Sequence, residues 1–199
     1  MQIGKSSGLL MLIVLMVACN NTPKVPASAD TAKKDTVTVK DPLKEPIISV
    51  EETTIKATHY MVVKDTAATE AQIAGKLGAA YGKIGACMKK CNLKMAGAPA
   101  AWYNQQKAPF IIEAAVATST VCPAPENNIY LKEVKAGKGV VAHFFGPYSL
   151  TYKGHDAVEA WLKKNNKIAS GPSWEVYVTD PATVKAPYSV QTDIYYPLP

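Results

Sequence analysis

The two halves of the chain resemble each other, and this internal repeat limits the possible fold more than any other feature. Residues recur in the same order 74 positions apart, namely Met88-Lys89-Lys90 with Leu162-Lys163-Lys164, Asn92 with Asn166, Gly97 with Gly171 and Tyr103 with Tyr177. After a longer loop in the second half, Glu113 corresponds to Asp193 at an offset of 80. The pattern predicts two structural units of one kind that bury their apolar faces together.

Each half has the hydrophobic pattern of a strand, a helix and two further strands. In the first half we expect a strand over 55–64, a helix between Thr69 and Cys91, and strands over 101–105 and 110–118. The second half predicts a strand over 140–145, a helix over 156–166, and strands over 174–178 and 190–196. Pseudo-twofold pairing of the two units predicts an α+β fold: one antiparallel sheet, both helices on one face, and a central ligand cleft along the axis.

The predicted first helix contains a stripe of four glycines, at positions 75, 78, 82 and 85. Each glycine costs about 1 kcal/mol relative to alanine inside a helix. We therefore expect the stripe to pack tightly against the sheet. A dimer face in lipid is the less favoured alternative, because Lys76 and Lys83 interrupt the segment.

Residues 1–18 have the pattern of a lipoprotein signal peptide, with Lys5 before an unbroken apolar stretch over 8–17. Ten apolar residues rise only about 15 Å as a helix, too short for a hydrocarbon core of about 30 Å. The run Leu15-Met16-Val17-Ala18-Cys19 resembles a bacterial lipobox. Cys19 is therefore predicted to be lipidated and to anchor the protein to a membrane of the bacterial cell envelope. A soluble secreted protein is the alternative.

Residues 19–52 are predicted to be the lipid anchor and a disordered linker. This segment has few large apolar residues and contains Pro23, Pro26, Pro42 and Pro46, so it cannot bury enough surface to offset its chain entropy. The folded domain is accordingly predicted over 53–199, with repeats over about 53–125 and 126–199.

All 22 basic residues are lysine, and the formal net charge is +6. Proteins that read nucleic acids use the planar guanidinium group of arginine for bidentate contacts, and this chain contains no arginine. We therefore expect no nucleic-acid partner. Separately, we expect the protein to be a monomer.

The cysteines and histidines of the predicted domain do not form a zinc-binding pattern, and we expect neither a metal nor a cofactor. The histidines, at positions 59, 143 and 155, are scattered. Two alternatives remain for Cys87, Cys91 and Cys122: either Cys122 forms a disulfide with one of the other two, or all three are buried thiols.

Four motifs in the second half occur in a specific order: Gly146-Pro147-Tyr148, Trp174-Glu175-Val176-Tyr177, Asp180-Pro181 and Thr192-Asp193-Ile194-Tyr195-Tyr196-Pro197-Leu198. In this order they resemble the GyrI-like small-molecule-binding domain, which also forms the effector-binding domain of AraC-type and multidrug-sensing regulators. The resemblance implies two strand-helix-strand-strand repeats with a pocket for amphipathic, often cationic, organic molecules. Asp193 departs from the glutamate usual in the closing motif.

The resemblance assigns the ligand-facing acid to Glu175. In a strand Glu175 and Tyr177 point to one side, and a buried carboxylate without a partner costs several kcal/mol, whereas a cationic ligand would stabilise it. The alternative is a surface carboxylate paired with a lysine. The other candidate ligand-binding residues are the aromatic Tyr177, Tyr148, Trp102 and Tyr103, and Glu113 as the acid of the first repeat.

These features predict a membrane-anchored protein that binds small amphipathic molecules, cationic or aromatic in character. One alternative is a hydrolase of reactive, cyclopropane-bearing molecules, in which Glu175 would be the catalytic residue that activates water. Another is a haem or tetrapyrrole carrier, for which His59 or His143 would have to supply the ligand. Binding without turnover is favoured, because a pocket with one acid suffices for it.

Overall fold

The computed structural model describes residues 44–105, 107–123, 125 and 128–199. The predicted signal peptide, Cys19 and most of the predicted linker lie outside these residues. The described elements are β1 Ile47–Ile55, β2 Thr58–Ala67, α1 Ile73–Lys90, β3 Ala100–Gln105, β4 Phe110–Thr118, β5 Ile129–Val134, β6 Gly137–Phe145, α2 Thr151–Lys164, β7 Trp174–Tyr177 and β8 Gln191–Pro197. Neither of these helices is long and apolar enough to cross a membrane.

The eight strands form one antiparallel sheet in the order β1-β6-β8-β7-β3-β4-β2-β5. The two halves of this order correspond, with β6, β8 and β7 matching β2, β4 and β3. At the centre, β3 pairs with β7, and Ala101 lies opposite Glu175, its counterpart 74 positions later. The pseudo-twofold axis therefore passes between β3 and β7, and the predicted α+β fold class is confirmed.

The two edge strands of the sheet do not fit the predicted boundaries. β1 begins before the predicted start of the domain at residue 53, and β5 follows the predicted boundary between the repeats at 125/126. β1 pairs with β6 of the second half, and β5 pairs with β2 of the first half. The folded region thus begins at about Ile47 and not at residue 53. β1 resembles a linker in sequence because it is an edge strand with one mostly polar face, and β5 was not predicted at all. Both strands cover what would otherwise be unpaired backbone groups of β6 and β2.

Both helices lie on the same face of the sheet. One row of residues crosses the sheet from Ala114 through Ala101 and Glu175 to Ile194, each opposite the next. α1 packs over the end of this row at Ala114, and α2 packs over the end at Ile194. The middle of the row, Ala101 and Glu175, is left between the two helices.

The two helices end in the same way, which supports the alignment of the repeats. Asn92 and Asn166 both adopt a left-handed conformation, with φ of 53° and 52°. The next residue in each case donates a backbone hydrogen bond to the matched carbonyl, Leu93 to Met88 at 2.8 Å and Lys167 to Leu162 at 2.9 Å. α2 begins at Thr151, five residues before the predicted start. The prediction began too late because Gly154 interrupts the apolar pattern of the helix without ending it.

The glycine stripe of α1 does not pack against the sheet, contrary to the expectation. A Cβ atom built on any of the four glycines would meet nothing within 4 Å. The close approach occurs in α2, where a Cβ on Gly154 would lie 2.5 Å from Cδ1 of Ile194. The stripe is therefore on the open side of α1.

The cysteines adopt one of the alternatives that the sequence left open. Cys91 and Cys122 form a disulfide with their Cα atoms 5.8 Å apart, which ties the end of α1 to the loop after β4. Cys87 is a buried free thiol in the core under α1.

Candidate functional site

A cleft of about 1050 Å³ lies between α1 and α2. Its floor is the centre of the sheet, where β3 and β7 meet at the pseudo-twofold axis. Leu77 and Tyr81 of α1 form one wall, and Tyr152 and His155 of α2 form the other. The volume is that of a site for an organic molecule of drug size.

The structure brings together four of the six candidate ligand-binding residues. Tyr103, Tyr148, Glu175 and Tyr177 all line the cleft. Glu175 and Tyr177 are on the same side of β7, as the alternation predicted, and Glu175 is only 5% exposed.

Trp102 and Glu113 are on the opposite, helix-free face and do not join the cleft. Trp102 precedes Tyr103 on β3 and lies opposite Glu113 on β4, so both point away from the helices. Glu113 accepts hydrogen bonds from Lys132 at 2.5 Å and from Asn104 at 2.7 Å. The Lys132 ammonium also lies 4.1 Å from the ring centroid of Trp102. Burial raises the pKa of Glu113, but the hydrogen bond and charge of Lys132 outweigh it and hold that pKa below its usual range.

Glu175 is held by a histidine that the sequence analysis did not select. Nε2 of His155 lies 3.1 Å from Oε1 of Glu175, and Nδ1 of His155 lies 2.9 Å from the hydroxyl of Tyr196. An ionised Glu175 can only accept hydrogen bonds, so Nε2 must carry a hydrogen. In a neutral imidazole, Nδ1 then accepts from the Tyr196 hydroxyl. The network thus runs from Tyr196 through His155 to Glu175.

Four tyrosines surround the carboxylate of Glu175. The hydroxyls of Tyr103 and Tyr177, equivalent residues of the two repeats, are 2.8 Å apart. Tyr81 donates a hydrogen bond to the carbonyl of Ala100 at 2.9 Å, and the ring of Tyr148 stands edge-on to that of Tyr177. Burial, together with the charge of Glu175, raises the pKa of all four phenols, so they remain neutral donors and flat surfaces at physiological pH.

The charged residues of the cleft are of one sign, although the chain as a whole is basic. Five carboxylates line it, the buried Glu175 and the exposed Glu70, Asp156, Glu159 and Asp180. Among the described residues that form the lining, none is a lysine. The cleft therefore has a negative potential within a positively charged protein.

His59 and His143, the two histidines considered for haem binding, are not among the described residues that line the cleft. His143 is on the helix-free face, where its Nδ1 lies 2.8 Å from Asp193. Burial lowers the pKa of His143, but the hydrogen bond to Asp193 and the nearby Glu51 raise it above its usual value. The histidine that lines the cleft is His155, and both of its ring nitrogens are within hydrogen-bond distance of protein groups, Tyr196 and Glu175.

His155 was missed because the predicted second helix began one residue after it. With α2 beginning at Thr151, His155 lies on the helix next to the core residues Gly154 and Val158. The repeat alignment also places His155 at the position of Tyr81, which faces the same axis. That alignment was the signal that could have identified it.

The sequence profile of the family described as GyrI-like small molecule binding domain matches residues 48–199. No curated protein sequence matches the chain.

Several solved structures have the same fold at low sequence identity. The EcmrR C-terminal domain superposes with a TM-score of 0.68 at 14% identity, covering 77% of this chain and 98% of that domain. EcmrR in its complex with DNA gives a TM-score of 0.66 at 14% identity and covers 76% of this chain, but this chain spans only 57% of that one. SAV2435 bound to tetraphenylphosphonium gives 0.54 at 16% identity, covering 76% and 94%. A hydrolase from Listeria innocua gives 0.55 at 10% identity, covering 75% and 91%.

Proposed function

Since the chain belongs to the GyrI-like small-molecule-binding domain family, we propose that its cleft binds small amphipathic organic cations. One observation carries the proposal: a buried carboxylate, Glu175, lies on the floor of a cleft whose described lining contains no lysine. A carboxylate in such a place loses hydration, and a bound cation compensates its charge.

The lining is also suited to the apolar part of such a ligand. Tyr103, Tyr148 and Tyr177 present neutral aromatic rings near Glu175, and Leu77 and Phe110 add apolar surface. A cation against an aromatic face gains about 0.5–2 kcal/mol, more where water is excluded. A flat or bulky aromatic cation can therefore contact both the rings and the carboxylate.

A pair of ligands with the same shape and opposite charge tests the proposal. Tetraphenylphosphonium and tetraphenylborate differ mainly in the sign of their charge. Calorimetric titration of the full chain at pH 8 should detect binding of the phosphonium and much weaker binding of the borate. Equal affinities would mean that the carboxylates do not select the ligand, and no binding of the phosphonium would contradict the proposed function.

Glu175→Gln keeps the shape of the side chain and removes its charge. A charge-assisted contact contributes about 1.5–3 kcal/mol, so the affinity for tetraphenylphosphonium should fall roughly 10–100-fold. Glu113→Gln is the matched control, because it makes the same change on the opposite face of the sheet. An equal loss in both variants would reassign the effect to general destabilisation.

Hydrolysis of reactive small molecules is a second candidate, favoured by the contact between Glu175 and His155. In this reaction Glu175 would accept a proton from water as the water oxygen attacks an electrophilic carbon, and the ring-opened carbon would receive a proton in return. Incubation with cyclopropane-bearing electrophiles, followed by mass spectrometry, should reveal products heavier by one water. Turnover that is lost in Glu175→Gln while affinity is kept would identify an enzyme. Absence of such products with the wild type would leave binding as the function.

We also propose that the protein is anchored to a bacterial membrane through Cys19, on the basis of the lipobox-like sequence before it. Cys19→Ser should remove labelling by a fatty-acid probe and move the protein out of the membrane fraction. A variant that stays in the membrane fraction with unchanged labelling would exclude Cys19 as the anchor.

A further inference from the structure

We infer that His155 determines the ligand specificity of the cleft, because a proton on its imidazole and the positive charge of a ligand are alternative counter-charges for Glu175. This inference rests on the proposed function, and it adds a dependence on pH and on ligand charge. With His155 neutral, the cleft takes cations. With His155 protonated, the cleft discriminates against cations and still admits neutral aromatic molecules.

The geometry allows both protonation states without rearrangement. Nε2 of His155 donates to Glu175 across 3.1 Å in either state. Nδ1 accepts from the Tyr196 hydroxyl when the imidazole is neutral and donates to the same oxygen when it is protonated, across 2.9 Å. Only the net charge of the pair changes, from negative to zero.

That change in charge decides what the cleft attracts. A neutral imidazole leaves the Glu175 carboxylate without a compensating charge, although its oxygen is hydrogen bonded. An imidazolium supplies that charge from within the protein, in a position where the side chains of His155 and Glu175 are 15% and 6% exposed. A ligand cation must then displace the proton to solvent or bind beside a like charge, and both weaken binding.

Other ionisable groups surround the cleft that His155 lines, and they differ from His155 in position or in chemistry. The carboxylates of the lining besides Glu175 are on the exposed rim, at Glu70, Asp156, Glu159 and Asp180. The phenols belong to the exposed Tyr152 and to five further tyrosines, and burial raises the pKa of those five, Tyr81, Tyr103, Tyr148, Tyr177 and Tyr196. Phenols with a raised pKa stay neutral near pH 7, whereas imidazole is the side chain that ordinarily changes charge between pH 5 and 8.

The test is the pH dependence of binding by permanent cations. Tetraphenylphosphonium does not titrate, so any pH dependence belongs to the protein. Its affinity for the full chain should be roughly tenfold weaker at pH 5.5 than at pH 8, as expected when a proton competes with the ligand. Neutral triphenylphosphine oxide should bind equally at both pH values. At pH 6, calorimetry in buffers of different ionisation enthalpy should detect proton release when the phosphonium binds.

Two substitutions separate the charge of His155 from its hydrogen bond. His155→Gln keeps an amide donor near the position of Nε2 and cannot be protonated, so it should bind the phosphonium with the same affinity at pH 5.5 and 8. His155→Arg carries a permanent charge, so it should bind the phosphonium weakly at both pH values. His143→Gln, a histidine on the helix-free face, should keep the wild-type pH dependence.

The outcomes distinguish this inference from the proposed function. Phosphonium binding that is strong at pH 8 and unchanged at pH 5.5 would overturn the role of His155 and leave the proposed function intact. A pH dependence that persists in His155→Gln would overturn it too, and would assign the titration to another group. No phosphonium binding at pH 8 in the wild type would overturn both.

Discussion

The two repeats agree where they pack and differ where they face the cleft. Equivalent helix positions point into the core in both, as in the pairs Ala80 and Gly154, Ile84 and Val158, and Met88 and Leu162. At the cleft the pairs are dissimilar, since Tyr81 corresponds to His155 and Ala101 to Glu175. Tyr196, which is hydrogen bonded to His155, corresponds to Val116 in the core under α1.

The whole network of Tyr196, His155 and Glu175 therefore belongs to the second repeat. The first repeat supplies apolar or neutral residues at the same places, so the buried charge of the cleft comes from the second repeat. Only Tyr103 and Tyr177 keep the symmetry, and they meet on the axis. The packing that the two repeats share thus forms the frame of the site, and residues of the second repeat alone give it its buried charge.

The largest effect is expected at the acids of the helix-free face, where the repeats also differ. Glu113 is paired with a lysine, and its counterpart Asp193 is paired with a histidine. Glu113→Gln leaves the Lys132 ammonium without its carboxylate, and we expect it to lower the free energy of unfolding by about 2–3 kcal/mol at pH 7. Chemical denaturation of both proteins measures this.

The effect of Glu113→Gln should disappear in acid. The pKa of Glu113 in the folded protein is below its ordinary value of 4.5, so the unfolded chain binds the proton more readily. The stabilisation is present above pH 4.5 and is lost as pH falls through the lower folded value. A difference between variant and wild type that stays constant down to pH 2.5 would contradict the assignment of the ion pair.

The second effect concerns how closely each helix approaches the sheet. Ala80 of α1 and Gly154 of α2 are equivalent positions, and only α1 has room for a Cβ atom there. A Cβ atom on Gly154 would lie 2.5 Å from Cδ1 of the buried Ile194. Gly154→Ala should destabilise the protein by about 1–2 kcal/mol, because overpacking costs more than the helix propensity of alanine returns. Adding Ile194→Val, which removes the Cδ1 atom, should make the double variant more stable than the sum of the single effects. Strict additivity would refute the close contact.

The third effect is the opposite pH dependence of the two ion pairs on the helix-free face. The pair of His143 and Asp193 loses its stabilisation in base, whereas the pair of Glu113 and Lys132 loses it in acid. The pKa of His143 lies above its ordinary value of 6.5 in the folded protein. Its stabilisation is therefore complete below pH 6.5 and is lost as pH rises through the raised value. His143→Gln should cost about 1 kcal/mol at pH 6 and much less at pH 9. Over the same pH range, the free energy of unfolding of Glu113→Gln should differ from that of the wild type by a constant amount. If this difference changed with pH in the same way for both variants, the two ion pairs would not differ as stated.

The sequence predicted the frame of this molecule better than its site. Internal alignment gave the repeats, the helices and the strands that pair at the centre, because packing is the property that the two copies share. Alternation along β7 placed Glu175 and Tyr177 on one side. The same rule puts Trp102 and Tyr103 on opposite sides of β3, so both could not line one cleft. Which side faced the helices could not be deduced from β3 alone, because Ala100 and Trp102 on one side and Ala101 on the other are all apolar and buried.

The missed elements have physical reasons as well. β1 is an edge strand whose exposed residues are mostly polar, and β5 is an edge strand of six residues whose apolar run is interrupted by Lys132 and Glu133, so both have a weak apolar signal. The contact of His155 with Glu175 joins a helix to a strand 20 residues later, and no local pattern encodes such a pair. The glycine stripe of α1 predicts close packing, although the spacing of the glycines gives no information about which side of the helix meets the sheet.

The smallest effect is expected at Gly82, and it tests whether the glycine stripe of α1 faces open space, unlike Gly154 of α2. Gly82 of α1 is exposed, lies outside the described lining of the cleft, and has open space where a Cβ would be. Gly82→Ala should therefore raise the free energy of unfolding by roughly 0.8–1 kcal/mol, the helix propensity difference between the two residues. The same substitution at Gly154 lowers stability, so opposite signs at two helical glycines would separate open space from close approach. Affinity for tetraphenylphosphonium should not change in Gly82→Ala. A loss of stability would mean that another surface packs against the open side of α1.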